Sequence, residues 1–227
     1  MGKRSTRVPR DQARARRSHA RLRAMGGKRT FAQLRFSPMR SILIALAAAA
    51  FPAPAQAEIR AEASLERGFA GALRGCEEWV LNPASWTDGT GPFLKAVGLG
   101  DQIGLVDAVE EFNLPPQELR RANHYWRIKP IPGAGYVLVV SDQLAMCHIT
   151  GGGNVDLEPA VEAVLASHDF AARWQLAKDL STPDMTSTHF LNRQDPRFSL
   201  LVSRAKHAGE RLDRVQLIAT ATYDTAK

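Results

Sequence analysis

Cys147-His148 sets a thiol beside an imidazole, the two groups of a thiol protease. Neighbours on a strand point to opposite faces, so the pair cannot form a nucleophile–base hydrogen bond. Ser167-His168-Asp169 holds triad residue types in succession. A triad converges from separate parts of a chain, whereas successive helical residues diverge by about 100°. The expectation is a polar break between helical segments. Gly151-Gly152-Gly153-Asn154 has the placement of a phosphate loop between a strand and a helix. It lacks a Lys-Ser/Thr ending and GxGxxG spacing, and Asp156 would repel a phosphate. It reads as a hinge. His124, His148, His168, His189 and His207 are isolated, with no HxH, HExxH or CxxC spacing. A site assembled from distant residues, such as His148 with His189, is the remaining metal reading. No catalytic residue, metal ligand or cofactor is assigned.

Cys76 and Cys147 are the only cysteines. An oxidising compartment favours pairing them, with two buried thiols or one reactive thiol as alternatives. The compartment follows from the leader. Residues 1–40 hold 13 basic side chains and one acid, leaving 17 basic and 22 acidic residues from position 58 onward. The net charge of +7 therefore belongs to the leader, and nucleic acid is not expected as a partner of the acidic remainder. Met39-Arg40 precedes an apolar run, Ser41 to Phe51, and then the small-x-small site Ala55-Gln56-Ala57. These are the parts of a secretory signal peptide, and the run is shorter than the roughly 20 residues that span a bilayer. Pro52 and Pro54 are expected to break its helix. The reading is a basic extension over 1–38, untranslated or disordered, a signal peptide over 39–57, and a single mature domain over 58–227. Cleavage near Ala57/Glu58 delivers that domain to the periplasm or medium, without a stable membrane span.

Within that domain, Leu65, Phe69, Ala72, Leu73, Cys76, Trp79 and Val80 recur at steps of three and four, predicting a helix from Ser64 to about Leu81. Gly68, Gly71 and Gly75 form a stripe beside that face. Each glycine costs about 1 kcal/mol in a helix, so close packing is expected there. Short helices are predicted over 91–97, 102–112 and 116–122. Strands are predicted over 125–131, 136–140 and 145–150, with Cys147 inward and Met146, His148 and Thr150 on the other face. Asp156 reads as the cap of a second helix with Ala160, Val161, Val164 and Leu165 inward, resuming through Phe170, Trp174 and Ala177. Strands over 185–192, 197–204 and 214–223 close the chain.

The fold expected is α+β, an antiparallel sheet of about five to six strands with two main helices packed on one face. Ser64-Leu65-Glu66 and Asp156-Leu157-Glu158 begin the two helices, which admits a faint duplication or, more simply, two capped amphipathic helices. Thr186, Thr188, Ser199, Ser203, Gln216, Thr220 and Thr222 suggest one hydroxyl-rich sheet face. With Met146, His148, Thr150 and His189, and with Trp126 or Tyr125 as aromatic platform, it forms a candidate binding face for an envelope protein or glycan. A wet sheet face without a partner is the plainer reading. A small hydrolase-like enzyme is the alternative function.

Phe69-x6-Cys76 in a first helix, Trp126 opening a strand region, Cys147 on a later strand and a Thr-rich final strand form a pattern. It resembles that of small exported proteobacterial proteins of unknown function. The resemblance covers most of residues 63–223 and implies export and a helix-to-strand disulfide.

Overall fold

The structure, a computed structural model, describes residues 53–206 and 215–224. The basic extension, most of the expected signal peptide and His207 lie outside the described residues.

One sheet organises the chain. Helix α1 (Ala53–Leu81) leads through two short helices, α2 (Ala84–Thr87) and α3 (Gly91–Val97), into β1 (Ile103–Val106), β2 (Asn123–Ile131), β3 (Ala134–Ser141) and β4 (Met146–Gly153). Helices α4 (Glu158–Ala166) and α5 (His168–Arg173) lead into β5 (Trp174–Asp179), β6 (Met185–Asn192), β7 (Phe198–Ala205) and β8 (Val215–Tyr223). All strand pairs are antiparallel, and the order is β1-β2-β3-β4-β8-β7-β6-β5. The α+β class and the single antiparallel sheet agree with the sequence reading. Among the described residues the sheet has eight strands rather than five to six, and there are five α-helices rather than two main ones.

The order is a palindrome of two halves. Each half is a helical segment followed by a four-strand meander, and the halves join where β4 pairs with β8. The duplication considered for the sequence therefore has a counterpart in topology.

Helix α1 lies on β2, β3 and β4, and α4 packs beside it. The predicted face is the buried one: Leu65, Phe69, Ala72, Leu73, Cys76 and Trp79 are all buried. The described part of this helix already starts at Ala53, upstream of the expected boundary. The glycine stripe marks close packing as expected. A Cβ on Gly75 would sit 2.9 Å from Val97 and 3.1 Å from Leu138, and one on Gly71 would sit 2.7 Å from Leu99.

Two expected helices are instead strands. Residues 102–112 form β1 and a 3₁₀ turn at Glu111–Asn113, and Trp174 opens β5 rather than continuing α5. The 116–122 helix shrinks to a 3₁₀ turn, Gln117–Leu119. The expected hinge is also strand, since Gly151, Gly152 and Gly153 pair with Tyr136, Gly135 and Ala134. Glycine in a strand marks close approach, and a Cβ on Gly151 would fall 2.8 Å from the Tyr136 ring and 2.9 Å from Leu157.

Cys76 and Cys147 form a disulfide with a Cα–Cα distance of 5.5 Å, within the usual range for a bridge. It ties the C-terminal part of α1 to β4, and both residues are fully buried. Among the described residues no helix is long and apolar enough to cross a membrane.

Candidate functional site

Strand register sorts the candidate residues by face. Cys147 pairs with Val140, and Ile149 with Leu138, which in turn pairs with Trp126; all face the helices. Trp126 is therefore buried against Phe93 of α3, with ring centroids 5.1 Å apart. It cannot serve as a platform beside Met146, His148 and Thr150, which share the outer face.

The outer face has two unlike halves. In the first, Val137, Val139, Met146, His148 and Thr150 are all buried, which corrects the expectation of an exposed surface. Thr150 is satisfied from the 107–122 connection, which lies against this face. Its hydroxyl donates to Asn113 Oδ1 at 2.6 Å, and Asn113 Nδ2 donates to Glu110 Oε2 at 2.9 Å. Glu110 accepts from Arg127 Nη2 at 3.1 and 3.2 Å. A hydrogen bond from its own backbone N–H, with help from Arg127 and Asn113, holds its carboxyl below the ordinary range. Arg120, from the same connection, donates to Glu111 at 2.8 Å and to the Pro115 carbonyl at 2.7 Å.

His148 sits at the seam between halves, its Nδ1 2.8 Å from Thr220 Oγ1 of β8. Burial, helped by the Arg120 charge, pushes its imidazole down to about 4. His148 is thus a neutral, covered residue. His189 is in the same row of the sheet, which runs His148, Thr220, Leu201, His189 across β4, β8, β7 and β6. Three strand spacings separate the two histidines by roughly 14 Å, so they cannot share a metal ion. Among the described residues no group of three His, Cys, Asp or Glu side chains is arranged to hold one.

In the second half the outer face is open. Leu201 and Ile218 are each 38% exposed, diagonal neighbours because Leu201 pairs with Thr220 and Ser203 with Ile218. Ser199, Ser203, Thr220, Thr222 and His189 surround them, half-buried or exposed. Ser187 and Ser203 share a hydrogen bond of 2.9 Å. The hydroxyl face expected from sequence is thus partly right. Thr186 and Thr188 pair with Arg204 and Val202 and so face the helices. Gln216 is buried, accepting from the Leu157 N–H and donating to the Gly153 and Val155 carbonyls.

The remaining motifs are structural. Ser167 Oγ accepts from Phe170 N at 3.1 Å and caps α5, while Asp169 pairs with Arg173. Asp156 Oδ1 accepts from Glu158 N at 2.9 Å at the start of α4. His124 Nε2 lies 2.7 Å from Asp142 Oδ2, fastening β2 to the β3–β4 turn.

One cleft, about 720 Å³, opens on the outer face beyond Asn113. Glu110, Arg127 and Lys129 line it together with Phe112, Val137, Gly135 and Gly152. Sequence reasoning missed it, because part of its wall, Glu110 and Phe112, comes from a segment read as helix over 102–112.

Fold and site together define an α+β protein on an eight-stranded antiparallel sheet whose outer face is covered over one half and open over the other. Comparison with protein-family models, with curated proteins and with solved structures found no match to the chain.

Proposed function

We propose that this is an exported, non-catalytic binding module that engages a polypeptide partner of the cell envelope through the outer face of β8, β7 and β6. The observation that carries the reading is the asymmetry of the outer face. The first half buries its outer residues beneath the chain's own 107–122 connection, while the second leaves Leu201 and Ile218 exposed in mid-sheet. Apolar side chains amid hydroxyls suit a protein surface, which mixes an apolar centre with a polar rim. A glycan would want an exposed aromatic platform beside the patch; Trp126 is buried on the other face, and Tyr125, on the outer face, is half-buried on β2, three strands away from β8. Export is supported by the signal-peptide pattern over 39–57 and by a disulfide, the bond of oxidising compartments. The enzymatic alternative calls for titratable groups converging in one pocket. The cleft brings together Glu110, Arg127 and Lys129, with no Cys, His or Ser in its lining.

Site-specific photocrosslinking tests the reading. A photoreactive residue at Leu201 or Ile218 should yield a discrete adduct with one envelope protein in native cells, and Thr220→Arg should abolish it. The same probe at exposed Lys95, on α3, should give none. Absence of any adduct from both outer-face positions would refute the assignment.

A further inference from the structure

The cleft beyond Asn113 is separate from the open patch and has its own logic. Its volume of about 720 Å³ lies within the range of pockets that take one small molecule, roughly 300–1,000 Å³. Glycines line it. Gly135 and Gly152 pair across β3 and β4, in the outer-face register that continues from Val137 and Thr150. With no side chain at Gly152, the cleft is lined there by backbone. Gly135 has a backbone reason to be glycine, since a Cβ there would fall 2.2 Å from the Ile128 carbonyl oxygen. The walls are Val137, Ile131, Val215 and Phe112, the last 62% exposed although its ring is large and apolar.

Charge decides the ligand. Glu110 and Arg127 neutralise each other across the rim at 3.1 Å. Lys129 also lines the cleft and has no ion-pair partner among the described residues. Among the described residues, one cation without an ion-pair partner thus stands beside an apolar trough.

We propose that this cleft binds an amphiphilic carboxylate, its apolar body over the Gly135–Gly152 floor against Phe112 and its carboxylate at Lys129. The cation steers the headgroup to the rim, where the ammonium stays solvated, and the trough removes the chain from water. Most of the affinity comes from burying the chain's methylenes in the trough, and the polarity preference from Lys129.

Isothermal titration of the full chain with laurate, below its micelle concentration, tests the assignment. Saturable one-to-one binding is expected. Lys129→Glu, an exposed change, should weaken it at least tenfold, and Gly152→Val, which fills the floor, should abolish it. Dodecyltrimethylammonium, with the opposite headgroup, should bind at least tenfold more weakly than laurate. Thr220→Arg, on the open patch, should leave laurate binding unchanged, so this site and the polypeptide surface can fail independently. No saturable binding, binding that survives both cleft variants, or preference for the cationic amphiphile would overturn the proposal. Co-sedimentation with phosphatidylglycerol vesicles in the absence of laurate binding would also overturn it, assigning the cation to a lipid surface instead.

Discussion

Thr150 donates its hydroxyl to Asn113 at 2.6 Å, 37 residues back along the chain, and fastens the 107–122 connection to the outer face. Both residues are buried, so neither has water as a substitute partner. Thr150→Val keeps the side-chain shape but removes the donor. An expected loss of about 1–3 kcal/mol follows from the unsatisfied acceptor. Urea unfolding gives the loss, and hydrogen exchange should show residues 107–122 loosening more than the helices. Uniform loosening would mean that this bond does not anchor the connection.

The Cys76–Cys147 bridge closes a separation of 71 residues. Constraint of the unfolded chain by such a loop is worth about 4 kcal/mol. Cys76→Ala/Cys147→Ala should lose most of that in equilibrium unfolding. In the native chain, alkylation should require both reduction and unfolding, because neither sulfur is exposed. Rapid alkylation without reductant would contradict the bridge.

His148 gives the fold a pH dependence of definite sign. Its folded-state imidazole titrates near 4, whereas an unfolded histidine titrates near 6.5. Between those values the unfolded chain binds a proton that the folded one refuses, so stability falls as pH drops from about 6.5 toward 4. The slope is at most roughly 1.4 kcal/mol per pH unit. His148→Asn keeps a polar partner for Thr220 and should flatten the profile in that window. An unchanged slope would place the titrating group elsewhere.

Glu77 of α1 ties the first helix to the second half. It accepts from Trp174 Nε1 at 2.8 Å and pairs with Arg173, which is also held by Asp169 at 2.9 Å. Glu77→Leu leaves the Trp174 N–H unsatisfied and Arg173 with one partner, at an expected cost of about 2–3 kcal/mol. Glu77→Gln keeps an acceptor and should cost less than half as much. Equal costs in thermal or urea unfolding would show that charge, not hydrogen bonding, holds this junction.

The sequence carried the parts of the fold whose burial has a period. The α1 stripe, strand 185–192 and the opposite facing of Cys147 and His148 were all legible because inward and outward residues alternate there. β5 was not. Every residue from Gln175 to Asp179 is exposed, so no two-residue period exists to be read, and Phe170, Trp174 and Ala177 happen to fit helical steps. β1 spans only four residues with Gly104 inside it. In β6 the outward set was read as Thr186, Thr188 and His189, although odd and even positions face opposite sides; the register keeps His189 outward with Ser187 and turns Thr186 and Thr188 inward. The covering of His148 and the cleft beside it depend on where residues 107–122 travel, and a segment of 3₁₀ turns and prolines carries no periodic signal of its destination.

The palindromic strand order puts the chain's last strand in the middle of the sheet. β8 is flanked by β4 on one side and β7 on the other, and its pairing with β4 is what joins the two halves. A chain halted before Val215 would keep seven of the eight strands and still lose the seam. Two four-residue-to-nine-residue meanders would remain, each with a raw hydrogen-bonding edge where its neighbour should be. For this architecture the final nine residues of the sheet act as a keystone, and the translation product acquires its continuous core only when they are in place.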